Sequence, residues 1–124
     1  MPSFRSKGVT IANGASLSDV AVLNFPVGTE ASGVRETLVG IIMPAVWSAA
    51  SLTFQASNDN STFADLYNAA GAEITVTAST SRWIALDPAD FVGIAYLKVR
   101  SGTAGAAVNQ GGDRVITLVF RPVS

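Results

Sequence analysis

Residues 52–67 read LTFQASNDNSTFADLY. Leu52, Phe54 and Ala56 alternate with Thr53, Gln55 and Ser57, the period of two that marks a strand with one dry and one wet face. Asn58, Asp59, Asn60 and Ser61 end it, because short polar side chains bond to nearby backbone and accept turn dihedrals. Apolar character resumes at Phe63, Leu66 and Tyr67. The stretch therefore predicts a hairpin or a tight strand-to-strand connection.

Toward the N-terminus, residues 37–43 (TLVGIIM) stop at Pro44 and residues 20–25 (VAVLNF) stop at Pro26. Both runs are apolar at odd and even positions alike, which predicts strands covered on both faces. Residues 9–12 close on Asn13-Gly14, a strong turn signal, and residues 1–8 read as an arm ahead of a single domain over 9–124. Toward the C-terminus, residues 74–78 alternate Ile, Val and Ala with Thr, and residues 82–86 (RWIAL) run to Asp87-Pro88. Phe91 reads as a core anchor on a loop. Residues 96–101 alternate again, with Leu97 and Val99 inward and Lys98 and Arg100 outward.

Residues 102–112 (GTAGAAVNQGG) hold four glycines and no charge, so the expectation is a loop that is mobile or ordered by a neighbouring molecule. The last strand, residues 114–123, is apolar on both sides and belongs in the middle of a sheet. No stretch carries apolar residues at helical spacing, and turn residues recur every eight to twelve positions. About eight strands so spaced predict an all-β fold, an antiparallel β-sandwich, and the central last strand favours jelly-roll or Greek-key order.

Of 124 residues, 48% are hydrophobic and 14% charged, with a mean hydropathy of +0.38; an average soluble domain has roughly 25% charged residues. So few charges predict a surface partly covered by copies of the chain or by another protein. The longest apolar run, residues 38–50, contains Pro44 and Ser48 and falls short of the ~20 residues a spanning helix needs, so no membrane role is expected. No secretory signal is visible at the start, which is read as synthesis in the cytoplasm. With net charge −1 and no basic cluster denser than Lys98 and Arg100, a nucleic-acid surface is not expected.

The chain has no histidine and no cysteine, so Ser-His-Asp and Cys-His systems and the usual zinc sites cannot be assembled within it. We expect no enzyme, no metal and no cofactor. Asp87 and Asp90 are the closest carboxylate pair, and Asp87 before Pro88 reads as a turn cap. Asn58-Asp59-Asn60 lacks EF-hand spacing, Asn60-Ser61-Thr62 reads as a turn before a glycosylation sequon, and the loop from Gly102 lacks the Lys-Ser/Thr ending of a phosphate loop. Trp47 and Trp83 are either core or subunit-contact residues, or stacking platforms for a sugar. Arg82 and Arg114 begin strands and are expected to bond carbonyls or carboxylates at the sandwich edge.

The segments LTFQASNDNSTFADLYNAAG, SRWIALDPADFVGIAYLKVRSGT and NQGGDRVITLVFRPV resemble small jelly-roll proteins of tailed bacteriophages that decorate or cement a capsid. The resemblance covers residues 37–123 and implies a structural virion protein on the capsid surface, a homo-oligomer, expected to be a trimer, bridging subunits of the major capsid protein. The same stretch is similar to galactose-binding and discoidin-like jelly rolls, with Asn60 where that pattern has Gly and Phe63 where it has Trp. That similarity implies the alternative, a carbohydrate-binding or host-attachment module with a glycan partner. For the decoration reading the expected contact residues are Phe4, Arg5 and Lys7 in the arm, Trp47, and Gly102, Thr103, Val108, Asn109 and Gln110 in the loop.

Overall fold

The computed structural model describes residues 5–23 and 36–122. Among them the chain forms β1 (Arg5–Ile11), β2 (Ala21–Val22), β3 (Glu36–Ile42), β4 (Leu52–Ser57), β5 (Ala64–Asp65), β6 (Trp83–Ala85), a single 3-10 turn (Pro88–Asp90), β7 (Tyr96–Thr103), β8 (Ala106–Ala107) and β9 (Arg114–Pro122). Two antiparallel sheets face each other. Sheet A has the order β1-β9-β3-β6 and sheet B the order β2-β7-β4-β5, with β8 added to β7. With the small β7–β8 hairpin set aside, first strand pairs with last, second with seventh, third with sixth and fourth with fifth. That is the jelly-roll order.

Strand β4 forms as expected and buries Leu52 and Phe54 fully, but its other face is not wet: Thr53 and Ser57 are buried too, Thr53 under the Arg100 side chain, and Ala56 is half-buried. Its turn is closed by one carboxylate: Asp59 Oδ1 accepts hydrogen bonds from Ser57 Oγ (2.9 Å), Ser61 N (2.9 Å) and Thr62 N (2.8 Å). Asn60 has φ 59°, a left-handed conformation that asparagine tolerates better than most residues. The core lies between the sheets. Phe54 of β4 meets Phe91 edge-on at a centroid distance of 5.1 Å, and Ile41, Ile116, Leu118 and Phe120 close it from sheet A.

The structure corrects four expectations. Arg5 to Gly8 are not an arm: they form the first half of β1, paired with Phe120 to Thr117 of β9, because the Arg5 side chain has internal partners described below. Residues 74–78 make only one bridge, Leu52 to Val76, just after the bridge of Tyr67 to Glu73. Strand β2 is only two residues long, and Phe25 lies outside the described residues. Strand β9 is central in sheet A as expected, yet the predicted cover on both faces is only partial: on its outer side Val119 is buried but Val115 is 52% exposed.

Candidate functional site

Alternation sets the outer face of sheet A. Strand β1 contributes Ser6, Gly8 and Thr10, opposite Val119, Thr117 and Val115 of β9. Strand β3 contributes Gly40 and Ile42, and β6 contributes Trp83 and Ala85. Arg121, at one end, is the only ionisable side chain at an outward register position in this group. Trp83 is 56% exposed, Val115 52% and Ile42 37%. The indole lies across the neighbouring strand over Gly40, where an added Cβ would fall inside the ring. Glycine at this position lets the largest side chain lie flat on the sheet, and its register neighbours are Ile42, Gly40 and Ala85, with no amide or carboxylate among them.

The residues expected to make contacts are distributed differently. Phe4 lies outside the described residues. Arg5 is committed internally: its Nε donates to both Glu36 carboxylate oxygens (2.9 and 3.0 Å), and its Nη2 donates to Glu36 Oε1 (2.7 Å) and to the Val22 carbonyl (2.8 Å). Its guanidinium carbon sits 4.5 Å over the Phe120 ring. This places a charge at the end of the sandwich where it joins β1, β3 and β2, with the Arg5 side chain still 37% exposed beside its internal partners. Lys7 is exposed. Trp47 is half-buried against the core and donates from Nε1 to the Ala50 carbonyl (3.1 Å), so its indole edge is already satisfied.

The loop over 102–112 is ordered by the chain itself, which corrects the expectation that it is either mobile or ordered by a neighbouring molecule. Gly102 has φ +92°, and β8 turns back onto β7 through Thr103 and Ala106. Val108 donates from its backbone to Ser101 (2.9 Å), whereas Asn109 is exposed. Gln110, only 1% exposed, is the anchor. Its Nε2 donates to the Ser48 carbonyl (3.0 Å) and Ser101 Oγ (2.7 Å), and its Oε1 accepts from Ser48 N (2.8 Å) and Arg114 Nε (3.1 Å). Its main chain bonds Ala15 (2.9 Å) and Gly14 (2.8 Å). Arg114, expected to bond carbonyls or carboxylates, bonds the carbonyl oxygen of this side-chain amide and also the Ser48 hydroxyl (3.4 Å).

On the outer side of sheet B the charges are paired. Arg100, 7% exposed, donates to Asp65 Oδ1 (2.7 Å), Glu73 Oε2 (2.9 Å) and Thr53 Oγ1 (3.0 Å). Glu73 Oε2 also accepts from Ala104 N (3.0 Å). A buried cation thus ties β5, the 67–73 excursion and the β7–β8 turn to one point. The Arg100 hydrogen bond is the main cause holding the Asp65 carboxyl below the ordinary aspartate value. Asp59 is also lowered, chiefly by the Thr62 and Ser61 amides. Lys98 Nζ stands 4.5 Å over the Phe63 ring.

Asp87 accepts from Ala89 N (3.0 Å) and caps the 3-10 turn, the geometry read from Asp87-Pro88. Among the described residues no group of three or more acidic, histidine or cysteine side chains is arranged to hold a metal, and no helix is long and apolar enough to cross a membrane. Trp83 is singled out in the sequence as a core, subunit-contact or stacking residue, but the face gathered around it is not. Its signal was there, since residues 37–43 and 114–123 are apolar on both sides. Comparison with protein-family models, with curated proteins and with solved structures found no match.

Proposed function

We propose that the chain is a structural protein that works by non-covalent contact, decorating and stabilising a bacteriophage capsid. On this reading it assembles as a trimer and bridges subunits of the major capsid protein at the virion surface. The observation that carries the reading is the outer face of sheet A, where Trp83, Val115 and Ile42 are exposed, the last two on strands whose sequence asks for cover on both sides. Exposed apolar side chains on a face bearing a single charge at its end favour burial against another protein surface. The resemblance of residues 37–123 to capsid decoration proteins points the same way.

The exposed indole of Trp83 favours a second reading, a glycan-binding module, since an open aromatic face is a stacking platform. Its neighbours weigh against that reading. A sugar needs convergent polar groups to fix its hydroxyls, and Ile42, Gly40 and Ala85 have none in their side chains.

Light scattering of the purified protein, followed by addition to heads that lack it and a heat- or salt-resistance assay, tests the proposal. A trimer that binds and hardens such heads is expected, and Val115→Lys should weaken that binding without unfolding the chain. A monomer that ignores heads and binds a glycan array would replace this reading with the second one.

A further inference from the structure

A different surface carries an inference of its own. Strand β6 is an edge of sheet A. Toward β3, the Arg82 carbonyl accepts from Met43 N (2.8 Å) and Leu86 N donates to the Val39 carbonyl (3.0 Å). Antiparallel bonding alternates, so the N–H and C=O groups of Trp83 and Ala85 face away from β3. Beside this edge runs a groove of about 340 Å³ between residues 74–77 and 84–91. Its far lip has the same character. Ile74 N bonds the Leu66 carbonyl (3.0 Å) and Val76 exchanges bonds with Leu52 (2.8 and 2.9 Å), so the main chain of Thr75 and Thr77 also turns outward. Among the described residues, none of these outward main-chain groups has a hydrogen-bond partner.

The groove offers the half-buried Ile74, Ile84 and Leu86 as accessible apolar lining, Val76 and Phe91 being buried in the core, with Asp87 and Asp90 at one end. Arg82 stands exposed at the other end of β6. Neither acid, nor Arg82, is in an ion pair among the described residues. An unpaired edge with an apolar groove beside it suits an extended peptide added as a strand, and the opposite charges at its two ends select the charges that peptide carries.

We propose that the β6 edge and its groove receive an extended segment of a partner protein. That segment is apolar at alternate positions, basic at the end beside Asp87 and Asp90, and acidic at the end beside Arg82. The added strand runs antiparallel to β6, as every strand pair in the two sheets does, so it carries its basic residue first and its acidic residue last. The surface differs from the outer face of sheet A, so the inference does not depend on the capsid reading.

The test uses the full chain and two labelled, end-capped peptides, Lys-Val-Thr-Val-Thr-Val-Glu and the reverse-charge Glu-Val-Thr-Val-Thr-Val-Lys, followed by fluorescence anisotropy. The first should bind at least about tenfold more tightly than the second. Ala85→Pro removes an N–H that faces the edge and is not used in sheet A, so the fold is expected to stand; the first peptide should bind it about tenfold more weakly. Should that variant fail to fold, the first peptide N-methylated at alternate amides gives the same reading on the unaltered protein. Asp87→Asn with Asp90→Asn should reduce both the affinity and its salt dependence. Failure of both peptides to bind at millimolar concentration would overturn the proposal. So would equal affinity for the N-methylated peptide, for the Ala85→Pro protein or for the reverse-charge peptide.

Discussion

Replacing Gln110 by alanine removes the side chain that holds the loop over 102–112 in place. Four hydrogen bonds are lost, to the Ser48 main chain (3.0 and 2.8 Å), Ser101 Oγ (2.7 Å) and Arg114 Nε (3.1 Å). They are not equal. Ser101 is fully buried, and its hydroxyl would lose an amide donor where water does not reach, a cost of about 1–3 kcal/mol. Ser48 and Arg114 are half-buried, so water replaces part of what they lose, and about 0.5 kcal/mol for each of their three bonds is a fair allowance. The sum is about 3 kcal/mol, a large share of the 5–15 kcal/mol that typically holds a domain folded. For a chain of this size it corresponds to a fall of roughly 12 °C in Tm. Urea and thermal melts read the loss, and hydrogen exchange over 102–112 shows where it falls. Gln110→Leu preserves most of the volume without the polar atoms, and should lose nearly as much. A loss below about 1 kcal/mol in Gln110→Ala, with the loop amides still protected, would refute the assignment of Gln110 as anchor.

Three further outcomes follow from the geometry. Asp65 has a lowered carboxyl pKa in the folded state through Arg100, so its contribution is present above the ordinary aspartate value and fades as pH falls through the lowered one; the stability gap between wild type and Asp65→Asn should close on acid titration. Gly102→Ala should cost about 2 kcal/mol or more in chemical unfolding, because φ is +92° and the new Cβ would lie 2.5 Å from the Ala106 carbonyl oxygen. Gly40→Ala should displace the Trp83 indole, changing tryptophan emission at a cost under about 2 kcal/mol; an unchanged spectrum would show that the ring does not rest there.

The two-sheet architecture was legible because strand periodicity is a local property. Leu52, Phe54 and Ala56 state it in six residues, and the apolar pattern of residues 114–123 places β9 centrally. The loop was misread because composition reports only what a segment lacks. Four glycines and no charge in residues 102–112 gave no sign that Gln110 would meet Ser48, 62 residues away. Arg5 was misread for the same reason, since its partner Glu36 is 31 positions distant. Trp83 shows a different limit. Nothing in RWIAL says that a glycine on the adjacent strand leaves the indole room to lie flat in the open.

The pairing of β1 with β9 also sets an order of events during synthesis. Arg5 waits for Phe120 and Ile11 for Arg114, so the first strand emerges from the ribosome long before its neighbour exists. Strand β3 waits for the same partner. Until β9 is made, sheet A has only the short β3–β6 contact, and the apolar side chains of β1 and β3 have no settled place. Sheet B can assemble earlier, because β4, β5 and β7 are all complete before β9. Folding dominated by such distant pairings is slow and exposes strand edges meanwhile. A nascent chain arrested before Arg114 should accordingly depend on chaperones for solubility, while the finished one should not.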